Sequence, residues 1–175
     1  MVLSLDGFAT SPDGTHEWMF EFFGADSGEW TLAALEESGT HLMGRRSDEI
    51  MGPHWQASEG PVASSMNGKP KAVLSRKATS GEWGPAEFFA DPGAAIAELR
   101  NREEEGTILV HGGPTLAASV VARGLVDEFQ LTWVPVAIGA GRGPFAGLDR
   151  HLKLDLVREQ RFASGAHGQV LVPKR

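Results

Sequence analysis

Three short runs carry residue types suited to gripping an anion: Gly44-Arg45-Arg46 in "LMGRRS", Ser75-Arg76 in "VLSRKA" and Gly112-Gly113-Pro114 in "TILVHGGPTL". Each follows an apolar or β-branched stretch that reads as a strand, so each stands where a strand would end. Ligands of open α/β sheets gather at the carboxyl ends of strands, and three such ends could converge on one long anionic molecule. Glycines without Cβ atoms let a phosphate approach uncovered backbone N–H groups at the positive end of a helix. Arg76 with Ser75 suits a 2′-phosphate, which favours NADP over NAD. Taken singly, each run has a plainer reading: a packing turn for the glycines, solvated arginines for the other two.

The loop "DGFATSPDGTHEWMFEFF" is acidic and aromatic at once. Asp6 is the carboxylate placed where the first strand ends, so it could orient a substrate or deliver a proton, or simply cap its own Asp-Gly turn. Phe8, Trp18, Phe20, Phe22 and Phe23 could close over a reaction that excludes water, or fill core. A second glycine run, "IGAGRGP", puts Pro144 where a dinucleotide fingerprint needs its third glycine, and reads as a bent loop. The six histidines lack paired ligand spacing, so no metal site is expected. With no G-x-S-x-G elbow and no phosphate-binding G-x-x-x-x-G-K-[ST] loop, hydrolases and P-loop enzymes fall away.

The elements needed to position these groups are legible in outline. "VLSL" opens as a strand, and a helix runs through "GEWTLAALEESG", capped by Asp26 or Ser27, with Glu29 three after Asp26 at capping-box spacing and Gly39 as its stop. "THLM" is a strand, "GRRSDEIM" a turn into a short helix, and residues 53–70 read as loop. "KAVLS" and "EFFA" are strands, and "DPGAAIAELRNREEEG" is a helix capped by Asp91 with Pro92 in its first turn. A strand over 107–110 feeds a helix from Pro114. "DEFQLTWVPVAI" is a long strand, and "LKLDLVREQRFASGAHGQVLV" a hairpin.

At 175 residues and 41% hydrophobic, the chain reads as one domain over residues 1–175, long enough to bury roughly 70% of its unfolded surface. The net charge of −7 argues against a nucleic-acid surface. No cysteine, no long apolar run and no basic leader are present, so a soluble cytoplasmic protein is expected, with no membrane partner. Alternating helices and strands with an antiparallel tail predict an α/β fold in three layers, a mixed and mostly parallel sheet flanked by helices with a C-terminal antiparallel hairpin.

Taken together, "SLDGFATSPDG" with "EW", "LMGRRSDEIM", "VLSR" and "ILVHGGPTLAASVVARGLVDEFQLTWVPVAIGAGRGPF" occur in an order that resembles the dihydrofolate reductase-like superfamily. The resemblance is to the group related to the C-terminal reductase domain of bifunctional riboflavin-biosynthesis deaminase-reductases. It implies that fold, NADPH as hydride donor, a small heterocyclic or carbonyl substrate, and a homodimer. It further implies that Gly112, Gly113, Pro114, Thr115 and Leu116 hold the pyrophosphate. Gly44, Arg45 and Arg46 would then support the phosphates, and Ser75 with Arg76 would lie near the 2′-phosphate. Asp6, Phe8 and Ala9 fall where the first strand enters the loop over the nicotinamide: Asp6 is the catalytic candidate, Ala9 a cofactor contact, and Phe8 with Trp18 line the substrate pocket. Glu29, Glu36 and Glu37 give no clear match to the acidic residue of true dihydrofolate reductases, so folate is not the expected substrate. No deaminase part precedes the reductase-like part, so the two-step riboflavin enzyme is not implied. A non-catalytic nucleotide-binding or sensing module on the same fold is the alternative.

Overall fold

The computed structural model describes residues 1–77, 80–102 and 106–174, which fall into two compact units: residues 31–113, and residues 1–30 with 114–175. The first contains a wholly parallel four-stranded sheet, the second a mixed four-stranded sheet with antiparallel strands. The α/β class expected from the alternation of elements is observed, with the strands shared between two sheets.

In the unit of residues 31–113 the sheet order is β4 (Ala86–Phe89), β3 (Lys71–Leu74), β2 (Ser38–Gly44) and β5 (Thr107–Gly112). Parallel strands buried on both faces should be nearly continuous in apolar character. Leu42, Met43, Ala72 and Val73 are fully buried, and Leu35, Met66 and Trp83 pack with Met43 and Val73 into one core cluster. Helix α2 (Arg45–Gln56) packs on β2 and β3, and α4 (Pro92–Arg100) on β4 and β5. Asp91 caps α4 as expected, its Oδ1 accepting from Gly93 N at 2.8 Å and Ala94 N at 3.0 Å.

Residues 53–70 depart from the loop expected of them. α2 continues to Gln56 with Pro53 inside it, and α3 (Pro61–Gly68) follows with Pro61 in its first turn. Gly, Pro and Ser read locally as breakers, but buried Gly52, Ala63 and Met66 supply an apolar face that packing rewards. Pro61 suits a first turn, where its missing N–H has no intrahelical partner to lose. α4 ends at Arg100, earlier than expected; residues 103–105 of the predicted helix lie outside the described residues.

In the other unit the order is β1 (Val2–Ser4), β6 (Phe129–Val134), β8 (His167–Pro173) and β7 (Leu154–Arg161). β1 runs parallel to β6, and β7 and β8 form the predicted antiparallel hairpin. β6 is shorter than the strand read over 127–138, stopping before Pro135, which has no N–H for a ladder. A 3-10 helix over Glu17–Phe22 occupies part of the expected loop. Helix α1 (Ala25–Glu37) runs directly into β2, so Gly39 lies in a strand and is not the helix stop. Asp26 sits inside the first turn, not at a cap: its Oδ1 accepts from Ser27 N at 2.8 Å and its Oδ2 from Ala163 N at 2.7 Å, which ties it to the hairpin turn. Helix α5 (Pro114–Ala122) starts at Pro114 as predicted.

Candidate functional site

The strand registers bring the three singled-out runs to one rim. β2 pairs Gly44 with Leu74 of β3 and Met43 with Gly112 of β5, all parallel, so Gly44–Arg46, Ser75–Arg76 and Gly112–Gly113 follow three adjacent carboxyl ends. The register slips at the last pair of β2 and β5: Leu42 faces Val110 and Met43 faces Gly112, leaving His111 as the bulged residue. Gly112 then turns at φ 78°, a conformation that side chains resist, and its peptide bond to Gly113 is cis.

A hydroxyl holds this turn. Ser47 Oγ donates to Gly112 O at 3.1 Å and accepts from Gly113 N at 3.2 Å. The Gly113 amide is therefore not bare, contrary to the expectation of uncovered amides. Ser47 was not singled out in the sequence; its signal is its place two residues into α2, where Ser readily bonds backbone groups.

The rim retains the features an oxyanion needs. α2 begins with Gly44 as its N-cap, in extended conformation and without a side-chain cap. A Cβ built on Gly44 meets nothing within 4 Å, and one on Gly113 meets only Ser47 Oγ at 3.9 Å, so both faces are open. Arg46 and Arg76 are exposed and make no hydrogen bond or ion pair among the described residues. Arg45 differs: its Nε pairs with Glu49 Oε1 at 2.7 Å and its Nη1 donates to Ser80 O at 3.1 Å. Ser75 Oγ accepts from Lys77 N at 3.2 Å. An uncapped twelve-residue helix, two open glycine faces and two unpaired guanidinium groups fit the phosphates of a dinucleotide.

The remaining candidates lie in the other unit. Pro114, Thr115 and Leu116 form the first turn of α5, with Thr115 exposed. Asp6 is exposed, and its carboxylate accepts from Ser4 Oγ at 2.6 Å and from the amides of Ile138 and Gly139 at 3.2 and 2.7 Å. The Ser4 bond first, and then the two amides, hold its pKa below the ordinary carboxylate range. Ala9 is buried, and its N–H is taken by Arg142 O at 2.8 Å. The run "IGAGRGP" packs as a bent loop against residues 7–10: a Cβ on Gly143 would stand 2.2 Å from Gly7 O, which requires glycine there. Phe8 is half-buried beside Gly141. Trp18 lies in the 3-10 helix against the Trp30, Val134 and Phe162 cluster, its enclosed Nε1 without an acceptor among the described residues.

Behind the rim, His41 of β2 and His111 of β5 stack edge to face at 4.4 Å. His41 is fully buried, and His111 is half-buried with its Nε2 enclosed. Burial, then the charges of Lys71 and Lys69, push His41 down to about 4; burial, then His41, pushes His111 down to about 3. Ser38 Oγ already donates to Leu35 O at 2.7 Å, so the 3.0 Å contact with His41 is met by the Nε2–H tautomer. Both rings are neutral at pH 7. No group of three metal-ligating side chains occurs among the described residues.

A wholly parallel sheet and a mixed sheet, joined in sequence, define the class as an α/β domain. The same fold occurs in a diaminohydroxyphosphoribosylaminopyrimidine deaminase/5-amino-6-(5-phosphoribosylamino)uracil reductase from Thermotoga maritima. That structure is matched with a TM-score of 0.71 at 16% identity, over 99% of this chain and 55% of that one. The chain belongs to the RibD C-terminal domain family, which matches residues 1–167. It is 28% identical over 171 residues to the uncharacterized protein YyaP of Bacillus subtilis (strain 168), covering 94% of this chain and 88% of that protein. It is also 28% identical over 173 residues to the riboflavin biosynthesis protein RibD of Corynebacterium ammoniagenes, covering 93% of this chain and half of that protein. No helix among the described residues is long and apolar enough to cross a membrane.

Proposed function

We propose that the protein is an NADPH-dependent reductase acting on a small heterocycle of pteridine or ribosylaminopyrimidine type, or on a carbonyl compound. The carrying observation is the rim of three adjacent parallel strand ends, with open faces at Gly44 and Gly113 and guanidinium groups on Arg46 and Arg76 that are unpaired among the described residues. In this reading the first amides of α2 donate to the pyrophosphate, Arg46 balances its charge, and Arg76 beside Ser75 selects the 2′-phosphate. Arg45 contributes its backbone N–H, since its side chain is engaged with Glu49 and Ser80. Pro114, Thr115 and Leu116 continue the phosphate-holding segment. Bound NADPH supplies a hydride to the substrate, and the chain supplies alignment and dryness. Phe8, half-buried, and Trp18 are the side chains assigned to the substrate. Titration with NADPH and NADH, followed by NADPH consumption against pteridines, ribosylaminopyrimidines and simple carbonyls, tests this. Saturable binding that prefers NADPH, with turnover of one class, supports it; no binding of either nucleotide overturns it.

One observation favours the non-catalytic alternative, a nucleotide-binding or sensing module. All the hydrogen bonds that Asp6 receives favour its ionised form, so it is a poor source of protons near neutral pH. Binding without turnover of any substrate class would select that reading.

A homodimer is also proposed. Edge strand β7 exposes Leu156 and Val157, 50% and 61% accessible, and an uncovered strand edge is a ready template for a second copy. Light scattering at the mass of one chain would refute it.

A further inference from the structure

A pocket of about 380 Å³ lies beside α2, between that helix and residues 80–83. Its size falls within the range of small-molecule sites. Asp48, one turn into α2, lines it and is only 5% exposed. Asp48 Oδ1 is enclosed without a partner, and neither carboxylate oxygen accepts a hydrogen bond among the described residues. Buried carboxylates are ordinarily paired, and one left unpaired carries a desolvation cost that an incoming donor would relieve.

The nearby cations Arg45 and Lys71 act on Asp48 through their charge but spend their hydrogen bonds elsewhere. Arg45 is held by Glu49 and Ser80 O. Lys71 donates to Asn67 O at 3.1 Å and Lys69 O at 2.8 Å and lies 4.6 Å over the Trp83 ring. The lining carries three carboxylates, Asp48, Glu49 and Glu82, against one guanidinium, so its charge selects a cation. Glycine keeps the carboxylate approachable: a Cβ on Gly81 would sit 3.4 Å from Asp48 Oδ2 and 3.1 Å from Phe88 Cζ. Trp83 supplies an apolar wall, its indole N–H being spent on Asn67 Oδ1 at 2.8 Å. The set of ligating groups is too small for a metal ion among the described residues, which leaves an organic cation.

We propose that this pocket binds a small primary amine, its ammonium group on Asp48 and its apolar body against Trp83. A carboxylate offers only acceptors, so the ligand must bring the N–H donors, and a compact ammonium suits a carboxylate with one enclosed oxygen. The pocket needs no nucleotide, so this assignment stands or falls separately from the reductase reading.

Benzylamine and its uncharged counterpart benzyl alcohol are titrated, without NADPH, into the isotopically labelled full chain. Amide shifts are followed by NMR and heats by calorimetry. Benzylamine should saturate with shifts centred on residues 45–56 and 80–83, and benzyl alcohol should not. Asp48→Asn should weaken benzylamine by at least about tenfold. Gly81→Ala, which narrows the mouth and leaves the carboxylate intact, should weaken it as well and decides the matter if Asp48→Asn fails to fold. No saturable binding, equal binding of the two compounds, or undiminished affinity in the folded variants would overturn the proposal.

Discussion

Ser47 Oγ binds both the carbonyl and the N–H of the Gly112–Gly113 peptide, 3.1 Å from Gly112 O and 3.2 Å from Gly113 N, and so locks the start of α2 to the end of β5. The hydroxyl both donates and accepts, which no apolar replacement can do. Ser47→Ala is expected to cost about 1–2 kcal/mol of stability. It should also weaken NADPH several-fold by freeing the turn, with Ser47→Thr restoring both. Urea unfolding and nucleotide titration read the two effects.

Arg76 is exposed and makes no hydrogen bond or ion pair among the described residues, so its removal should cost the fold little. Arg76→Ala should leave the unfolding midpoint unchanged and weaken NADPH about tenfold or more while sparing NADH. Equal loss for both nucleotides would deny Arg76 its part in selecting the 2′-phosphate. Calorimetric titration of both nucleotides checks this.

Acid should unfold the protein through His41 and His111. Their folded pKa values lie near 4 and 3, below the usual 6.5, so the unfolded chain binds protons that the folded one refuses. The stability they permit is present above about pH 6.5 and is lost as pH falls toward 4, by roughly 3 kcal/mol for each ring. The slope of stability against pH should flatten in His111→Phe, whatever that variant's absolute stability. Chemical denaturation at a series of pH values measures it.

Asp6 separates anchoring from proton delivery. If it anchors residues 138 and 139, Asp6→Asn keeps an acceptor for those amides, and turnover should stay within about threefold. A loss of a hundredfold or more, with NADPH affinity intact, would return Asp6 to a catalytic role. Steady-state kinetics with a confirmed substrate decides between them.

The strand ends were legible because glycine and arginine after apolar runs carry local signals, and the parallel registers then brought them to one rim. Asp91 and Pro114 were equally plain, since cap and first-turn preferences act within a few residues. What escaped depends on distant partners. α3 reads locally as loop because Ala63 and Met66 gain their value only by burial. Asp26 reads as a cap because nothing local foretells its bond to Ala163. Ser47 and the unpartnered Asp48 were silent for the same reason: one acts on a turn 65 residues away, and the other is defined by groups that do not reach it.

The rim is tested most directly by titrating NADPH into the isotopically labelled chain and following backbone amides by NMR. Saturable binding is expected, with the largest shifts at residues 44–47, 75–76 and 112–113. Absence of saturation, or shifts centred away from those three strand ends, would contradict a nucleotide site there.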